Sequence, residues 1–160
     1  MTPPRVSRPA LVSAAGAVAV ALAGGLLTDI GPWYYALAQP AWKPPDWAFG
    51  PIWTLIFTLA AASAAIAWRE ATSIQRREVI LLFLLNSALN IGWSGLYFTL
   101  RRPDWALIEV VFLWASVAGM AWRLRTVSRR AAWLLLPYLL WVSIAAALNL
   151  ETVRLNGPFA

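Results

Sequence analysis

The 160-residue sequence contains no cysteine and no histidine. The absence of cysteine excludes disulfide bonds, thiolate nucleophiles and zinc sites built on thiolates. The absence of histidine excludes imidazole metal ligands, Ser-His catalytic pairs and the usual general base near neutral pH. We therefore expect no metal site and no resident cofactor, and any chemistry must use aromatic rings, carboxylates, amides, hydroxyls or a bound ligand.

Charged residues are scarce too, since they make up 12% of the chain, whereas 61% of it is hydrophobic. A soluble domain carries roughly 25% charged residues, and a disordered chain is polar and poor in aromatics, so both classes are excluded. The net charge of +6 would also suit a nucleic-acid-binding protein. The arginines, however, lie between long apolar runs, which is typical of membrane topology. We expect a lipid membrane, and no nucleic acid, as a partner.

Long stretches with almost no charge divide the sequence into five spans. About 20 helical residues at 1.5 Å each cross a bilayer core of about 30 Å, and no span shows the alternation of a barrel strand. The sequence predicts an all-α integral membrane bundle of five transmembrane helices, with residues 1–160 as a single domain. The predicted spans are 9–28, 47–68, 79–100, 105–122 and 131–150.

The first span allows two interpretations. Arg5 and Arg8 followed by apolar residues resemble a signal peptide, but a run this long exceeds the usual apolar core of about 7–15 residues, so we expect a retained helix. Its small residues form a stripe along one face that permits close helix packing, either within the bundle or in a homodimer. The stripe consists of Gly16, Ala17, Ala21, Gly24 and Gly25.

The basic residues predict the orientation of the bundle. Nine arginines fall on the side of the N-terminus, and four basic residues fall on the other side. Because cytoplasmic loops are enriched in Lys and Arg, we expect a cytoplasmic N-terminus in a bacterial inner membrane, with an outer membrane as the alternative.

Loop 29–46 is the only long connection between spans. A long loop in a small bundle is usually functional or disordered, and its aromatic residues, among them Trp33, Tyr34 and Trp42, argue against disorder. Its prolines favour a stiff segment, partly helical around residues 33–38. We expect an external lid, and the alternative is an interfacial anchor in the lipid headgroups.

Eleven tryptophans are the strongest oddity of the composition. Five of them lie at span ends, as interfacial belt residues do: Trp47, Trp68, Trp105, Trp122 and Trp133. Four more lie inside spans two to five, roughly 9–14 Å below the end that carries the loop: Trp53, Trp93, Trp114 and Trp141. We expect these four to form one aromatic level beneath the loop.

Stripes of aromatic and amide residues on the second, third and fifth spans indicate that these faces meet in a shared interior. Amides facing lipid are costly, so the asparagines on these stripes should point inward; a packed aromatic core is the alternative to a pocket. The stripes are Phe49, Trp53 and Phe57; Asn86, Asn90, Trp93 and Tyr97; and Tyr138, Trp141, Ala145 and Asn149. Pro137 is expected to kink the fifth span, and Glu109, the one ionisable group inside a span, is expected to snorkel, bond a neighbour or relay protons.

Four segments together resemble the TspO/MBR family, the tryptophan-rich sensory proteins related to the mitochondrial translocator protein. They are WYYAL at 33–37, WKPPDWAFGPIWTLIF at 42–57, FLLNSALNIGW at 83–93 and PYLLWVSIAAALNLETVRLN at 137–156. The resemblance implies a five-helix bundle, often dimeric, that binds porphyrins in a pocket under the first long loop. It implies pocket-lining roles for Tyr34, Pro44, Phe49, Phe57, Asn90 and Ala145, and a part in light-dependent porphyrin degradation for Trp53 and Trp141. The sequence departs from the family's sterol motif at Leu150-Glu151, so sterol binding is unsupported.

A flat porphyrin such as protoporphyrin IX suits walls of indole and phenol rings. We expect its propionates to lie near Lys43, Arg101, Arg102 and Arg154, and a metal-free ring is favoured because Met120 is far from the predicted pocket. The full set of expected ligand-binding residues is Tyr34, Trp42, Pro44, Phe49, Trp53, Phe57, Asn86, Asn90, Trp93, Tyr97, Trp141, Ala145 and Asn149, with Trp53 and Trp141 as candidate catalytic residues. The sequence thus predicts a porphyrin receptor, with a photochemical porphyrin-degrading enzyme or a translocator as alternatives.

Overall fold

A computed structural model describes residues 7–159 and consists of helices joined by short connections. The helices are α1 (Arg8–Leu27), α2 (Pro32–Ala36), α3 (Asp46–Glu70), α4 (Ser73–Ser94), α5 (Pro103–Leu124), α6 (Arg129–Trp133) and α7 (Leu136–Asn156), and a π-helical turn at Gly95–Thr99 extends α4. The described residues contain no strand. The predicted all-α class is therefore confirmed.

Five of the helical stretches are long and apolar enough to cross a membrane. They are α1, α3, α4 with its π-helical turn, α5, and α6 continued by α7, and each contains most of one predicted span. The five-helix prediction is confirmed. We call the end of the bundle that carries residues 28–45 the loop end, and the opposite end, where α1 begins, the arginine end.

Local sequence signals fix where several helices begin. At the start of α4, the Thr72 side chain accepts a hydrogen bond from the Gln75 backbone while the Gln75 side chain accepts one from the Thr72 backbone, which is a capping box. Pro103 occupies the first turn of α5, where a missing N–H costs nothing. Ser128 accepts a hydrogen bond from the Ala131 backbone and caps α6.

The core lies between α3, α4, α5 and α7. Val117, Met120, Leu124 and Leu135 are fully buried, and polar bonds cross between helices, as where Ser63 donates to the Ala131 carbonyl at 2.8 Å. Met120 belongs to the cluster at the arginine end, away from the loop.

Helix α1 lies at the edge of this core and contains no buried residue. A Cβ atom added at Gly16 or Gly25 would meet nothing within 4 Å, and one at Gly24 would make only ordinary contact with Ser94 at 3.7 Å. These glycines therefore make no tight contact themselves, although α1 packs closely along α3, which is the packing within the bundle that was one of the two interpretations of the stripe. The homodimer stays a prediction, and Arg5 lies outside the described residues.

The last turn of the third span departs from a regular α-helix. Hydrogen bonds from Leu100 to Gly95 and from Arg102 to Leu96 widen the turn, and a π-turn accommodates one residue more than an α-turn. The register of the side chains shifts after Ser94, so Tyr97 does not continue the stripe of Asn90 and Trp93.

The fifth span is interrupted in the turn that precedes Pro137. Residues 134–135 separate α6 from α7, and Pro137 lies in the first turn of α7. A proline cannot donate to the carbonyl four residues earlier, here that of Trp133, so the interruption lies where the expected kink at Pro137 would place it.

Two polar residues inside spans differ from their expected setting. Trp114 is 42% exposed and donates to Ser143 Oγ at 2.9 Å, so the expected aromatic level of four tryptophans is wrong at this position. The carboxylate oxygens of Glu109 are buried without a hydrogen-bond partner among residues 7–159, so the expected bond to a neighbour is not found.

The orientation of the bundle remains a prediction that cysteine labelling can test. Ser128 is buried and caps a helix, so Thr126, which is exposed, is the better probe at the arginine end. We expect an impermeant reagent to label Ala36→Cys but not Thr126→Cys in intact cells, because the arginine end should face the cytoplasm. Labelling of Thr126→Cys alone would reverse the orientation.

Candidate ligand cavity

A cavity of about 770 Å³ lies between α1, α3, α4 and α7; it begins at the loop end and continues along α1 and α3 as far as Ala10 and Ala65. Its volume is within the range of ligand sites, about 300–1,000 Å³. Of the expected binding residues, it brings together Tyr34, Phe49, Trp53, Phe57, Asn90, Trp93, Trp141 and Ala145. These eight positions come from three long helices, α3, α4 and α7, and from α2.

Five aromatic rings from α3, α4 and α7 give the cavity its character. The Trp53 and Trp141 rings meet edge to face with centroids 6.4 Å apart, and Phe49 meets Trp141 in the same way at 5.5 Å. Trp53 stacks on Phe57 with centroids 5.3 Å apart. Such edge-to-face and offset contacts fix the rings and leave flat apolar surfaces toward the cavity.

One polar group in this wall lacks a partner. Trp141 is buried, and its Nε1 donor makes no hydrogen bond to any described residue. An unpaired buried donor costs about 1–3 kcal/mol. A ligand acceptor that reached this N–H would remove the cost.

The loop covers the end of the cavity through Tyr34, which α2 places in the cavity wall. Its hydroxyl donates to Asp46 at 3.0 Å, and Lys43 Nζ lies 2.9 Å from the same hydroxyl and 2.5 Å from the Asp46 carboxylate. Burial raises the pKa of the Tyr34 hydroxyl, which therefore stays neutral. Burial alone would lower the pKa of Lys43, but the hydrogen bonds to Asp46 and Tyr34 outweigh it and raise that pKa, so the ammonium stays charged.

A second attachment holds the far part of the loop. The Ala38 backbone N–H donates to Asn156 Oδ1 at 2.8 Å, and Asn156 Nδ2 donates to the Ala38 carbonyl at 2.9 Å. Asn156 is the last residue of α7. The loop is thus joined to the start of α3 through Asp46 and to the end of α7 through Asn156. Both attachments are compatible with the predicted lid.

The other cations of the loop end have acidic partners already. Arg102 pairs with Asp104 and Arg154 with Glu151. Arg101 lies 3.9 Å from Asp29 and over the Trp33 ring, so its pairing is the loosest. Arg101 is therefore the cation of the loop end that is most available to a ligand carboxylate, although neither it nor Lys43 lines the cavity.

Five expected binding residues lie outside this cavity. Trp42 is 52% exposed and Pro44 lies beside the Lys43 cluster without lining the cavity. Asn86 donates to Ser116 at 2.8 Å and lines a different cavity. Tyr97 is buried against Thr152, and Asn149 is buried between Pro103 and Trp93, to which it is hydrogen-bonded.

Phe98 is the aromatic wall residue that sequence reasoning missed. It lines the cavity, with its ring 6.0 Å from Trp93 and 5.9 Å from Tyr34. The π-helical turn brings it there in place of Tyr97. Gly95 within that turn was the only local signal, since glycine is unfavourable in a regular helix.

The cavity also opens sideways between α1 and α3. Gly50, Thr54 and Thr58 line it and are exposed. The two threonine hydroxyls donate to backbone carbonyls one turn earlier, at 2.9 and 2.7 Å, so this seam presents no unpaired hydroxyl to an apolar ligand. Within the described residues, no three acidic side chains come together as a metal site.

Comparisons with known proteins decide the family. The profile of the TspO/MBR family matches residues 11–155. The chain belongs to the TspO/MBR family. The tryptophan-rich protein TspO of Chlorobaculum tepidum is 38% identical over 144 residues, which cover 87% of this chain and 90% of that protein. Together with the five apolar helices, this membership makes it an integral membrane protein.

Other TspO/MBR relatives have names of two kinds. The tryptophan-rich sensory protein of Cereibacter sphaeroides is 32% identical over 133 residues, which cover 82% of each chain. The human translocator protein is 32% identical over 119 residues, which cover 73% of this chain and 70% of the human one. A binding or transport role in the membrane is consistent with both names.

Proposed function

We propose that the protein is a membrane receptor that binds a porphyrin, such as protoporphyrin IX, in the loop-end cavity. The observation that carries the proposal is the wall in which Trp53 and Trp141 stand edge to face beside Phe49 and Phe57. A flat macrocycle gains about 0.5–1.5 kcal/mol from each well-placed ring pair, beyond its apolar burial. An aliphatic ligand would gain only the burial.

The polar groups of the cavity match the edge of such a ligand. The macrocycle would lie between α1 and the aromatic wall, and its propionates would reach the rim where Lys43 stays charged. Asp46 already forms an ion pair with Lys43, so a propionate would share this cation with Asp46.

A dark titration with protoporphyrin IX tests the proposal. We expect saturable quenching of tryptophan fluorescence with one porphyrin per chain. The dimethyl ester, which lacks both carboxylates, should bind severalfold more weakly, since a charge-assisted hydrogen bond contributes about 1.5–3 kcal/mol before competition with Asp46. Quenching that rises without saturation would mean partition into the detergent or bilayer, and the proposal would fail.

Light-driven degradation of the bound porphyrin is a further part of the proposal. Trp53 and Trp141 both line the cavity, so an excited porphyrin would have an oxidisable indole against its face. One electron then passes from the indole to the porphyrin, which leaves an indole radical cation and a porphyrin radical anion. Illumination of the titrated sample tests this step through the loss of porphyrin absorbance.

Transport is the second candidate, and one observation favours it. A second cavity toward the arginine end shares Ala17, Val20, Phe57 and Ala61 with the first, so Phe57 stands between two adjoining spaces. Uptake of porphyrin into proteoliposomes tests this candidate. Binding without uptake would exclude transport and leave the receptor as the remaining candidate.

The lid prediction can be tested at Asn156 without changing the cavity wall. We expect Asn156→Ala to raise the dissociation rate of bound porphyrin about fivefold, because two exposed hydrogen bonds to Ala38 of roughly 0.5 kcal/mol each are lost. Deleting residues 33–37 should raise the rate further while the helices stay folded, although it also removes Tyr34. Stopped-flow displacement measures both rates.

Arg154→Ala is the matched control, because Arg154 lies on the last turn of the same helix and pairs only with Glu151. An unchanged dissociation rate in Asn156→Ala and in the deletion variant would identify the loop as an interfacial anchor.

A further inference from the structure

The cavity at the arginine end has no role in the proposed porphyrin site. It encloses about 580 Å³ between α1, α3 and α4. Its mouth is formed by Arg8 and Trp68, and its far end by Val20 and Phe57. Between them the walls are apolar side chains such as Val12, Ile80, Phe83 and Leu84.

The length of this cavity matches one leaflet of a bilayer. From Arg8 to Val20, α1 rises about 18 Å at 1.5 Å per residue. Half of a hydrocarbon core of about 30 Å is about 15 Å. A chain that entered at the level of the headgroups would therefore reach the far end of the cavity at the middle of the membrane.

Three of the polar side chains in the walls are bonded within the bundle. Asn86 Nδ2 donates to Ser116 at 2.8 Å, Ser87 Oγ donates to the Phe83 carbonyl at 2.7 Å, and Tyr138 accepts from Asn90 at 3.0 Å. A polar solute would find few unpaired groups to bind. The walls instead suit a hydrocarbon, which needs no hydrogen bond.

The mouth carries the opposite chemistry. The ends of α1, α3 and α4 bring four arginines there, Arg8, Arg69, Arg76 and Arg77, against Glu70 and Glu78. Arg76 donates to the Trp68 carbonyl and lies over the Trp68 ring. Arg8 forms no ion pair with a residue between 7 and 159. The site is thus positive at the headgroup level and apolar below it.

One side of the cavity opens to the membrane. Val12, Gly16, Ile80 and Leu84 line it and are exposed. A lipid with two chains can therefore place one chain inside and keep the other in the bilayer. This opening favours a phospholipid over a soluble acid.

We propose that the arginine-end cavity binds one acyl chain of an anionic phospholipid from the leaflet on the Arg8 side, with the headgroup at Arg8. The end of this chain lies against Phe57, Val20 and Ala61. The site is separate from the porphyrin proposal and does not depend on it.

Photo-cross-linking tests this site directly. The probe is a phosphatidylglycerol analogue with a diazirine at the end of one acyl chain, in nanodiscs that contain the wild-type protein. We expect the cross-links to concentrate on peptides that contain Val20, Phe57 and Ala61, as mapped by mass spectrometry. Cross-links spread evenly over all lipid-facing helices would indicate annular lipid only and overturn the proposal.

Glycine substitutions give a matched pair of variants. A Cβ added at Gly16 has open space on the cavity side, and Gly119 is an exposed glycine of α5 that lines neither cavity. We expect Gly16→Leu to lower cross-linking about tenfold, the effect of 1.4 kcal/mol, and Gly119→Leu to leave it unchanged. Equal effects of the two variants would overturn the proposal.

A second pair of variants tests the headgroup. Arg8→Gln should lower the preference for the phosphatidylglycerol probe over a phosphatidylcholine probe about fivefold, since a cation near the surface contributes about 1 kcal/mol. Arg129→Gln, an exposed arginine of the same end outside both cavities, should not. Complete displacement of the probe by equimolar palmitate would identify a fatty-acid site and overturn the phospholipid proposal.

Discussion

Light-driven loss of porphyrin absorbance is expected to fall at least about tenfold in Trp53→Phe and in Trp141→Phe, while dark affinity changes little. A factor of ten corresponds to about 1.4 kcal/mol in a barrier. The indole is the more readily oxidised ring, and both indoles line the cavity with centroids 6.4 Å apart. Absorbance under constant illumination, normalised to bound porphyrin, measures the effect.

Dark binding should respond much less, because phenylalanine preserves an apolar ring at each position. Most of the stacking area survives, so we expect a loss of about 1 kcal/mol or less per site. Trp141→Phe also removes the unpartnered Nε1 donor, and any additional loss at this site relative to Trp53→Phe would report a hydrogen bond from Trp141 to the ligand.

Two tryptophans outside the cavity serve as controls. Trp114 lies at a similar depth but faces outward and is bonded to Ser143, so Trp114→Phe should change neither quantity. Trp105, at the end of a span, is half exposed beneath Arg102, and Trp105→Phe should likewise change neither the degradation rate nor the dark affinity.

Two outcomes would contradict this interpretation in different ways. Wild-type rates of degradation in both cavity variants would exclude a role of these indoles in photochemistry, and only the proposal of a porphyrin receptor would remain. Wild-type affinity in a variant whose cavity is filled would remove the site itself, and the aromatic wall would then be a packed core.

The spans were predictable because membrane length and backbone hydrogen bonding leave few alternatives to a helix of about 20 residues. The break in the fifth span was signalled by Pro137, whereas the π-helical turn after Ser94 was not predicted. The hydropathy of one span does not predict how neighbouring helices pack against it.

The cavity wall was predictable where a regular helix carries the stripe. Phe49, Trp53 and Phe57 lie on one face of α3 and all line the cavity. The stripe of α4 fails beyond Trp93 because the register changes at the π-turn, which turns Tyr97 toward Thr152 and brings in Phe98.

Amides were harder to assign than rings. The expectation that asparagines point inward holds for Asn86, Asn90 and Asn149, which are all buried. Only Asn90 lines the loop-end cavity, because the membrane interior obliges an amide to find a partner and a neighbouring helix supplies one as well as a ligand does. Asn149 bonds Pro103 and Trp93.

The small-residue face of α1 shows the same ambiguity for packing. Glycine and alanine permit a close approach but do not enforce it. Here that face lines both cavities through Ala17 and, at opposite ends, through Gly16 and Gly24. The small-residue face of α1 therefore borders both cavities as well as packing along α3.

Filling the cavity from α7 is expected to have the largest effect on binding. Ala145 lines the cavity, and Ala147 lies two residues further on the exposed side of the same helix. Ala145→Phe places a ring where the macrocycle would lie, so we expect the affinity for protoporphyrin IX to fall at least about a hundredfold, or about 2.7 kcal/mol. Ala147→Phe adds the same ring toward lipid and should bind as the wild type does. Fluorescence titration in the dark measures both, and equal affinity of the two variants would place the porphyrin outside the loop-end cavity, because the Ala145→Phe ring would occupy the wall next to Trp141 where the macrocycle is proposed to lie.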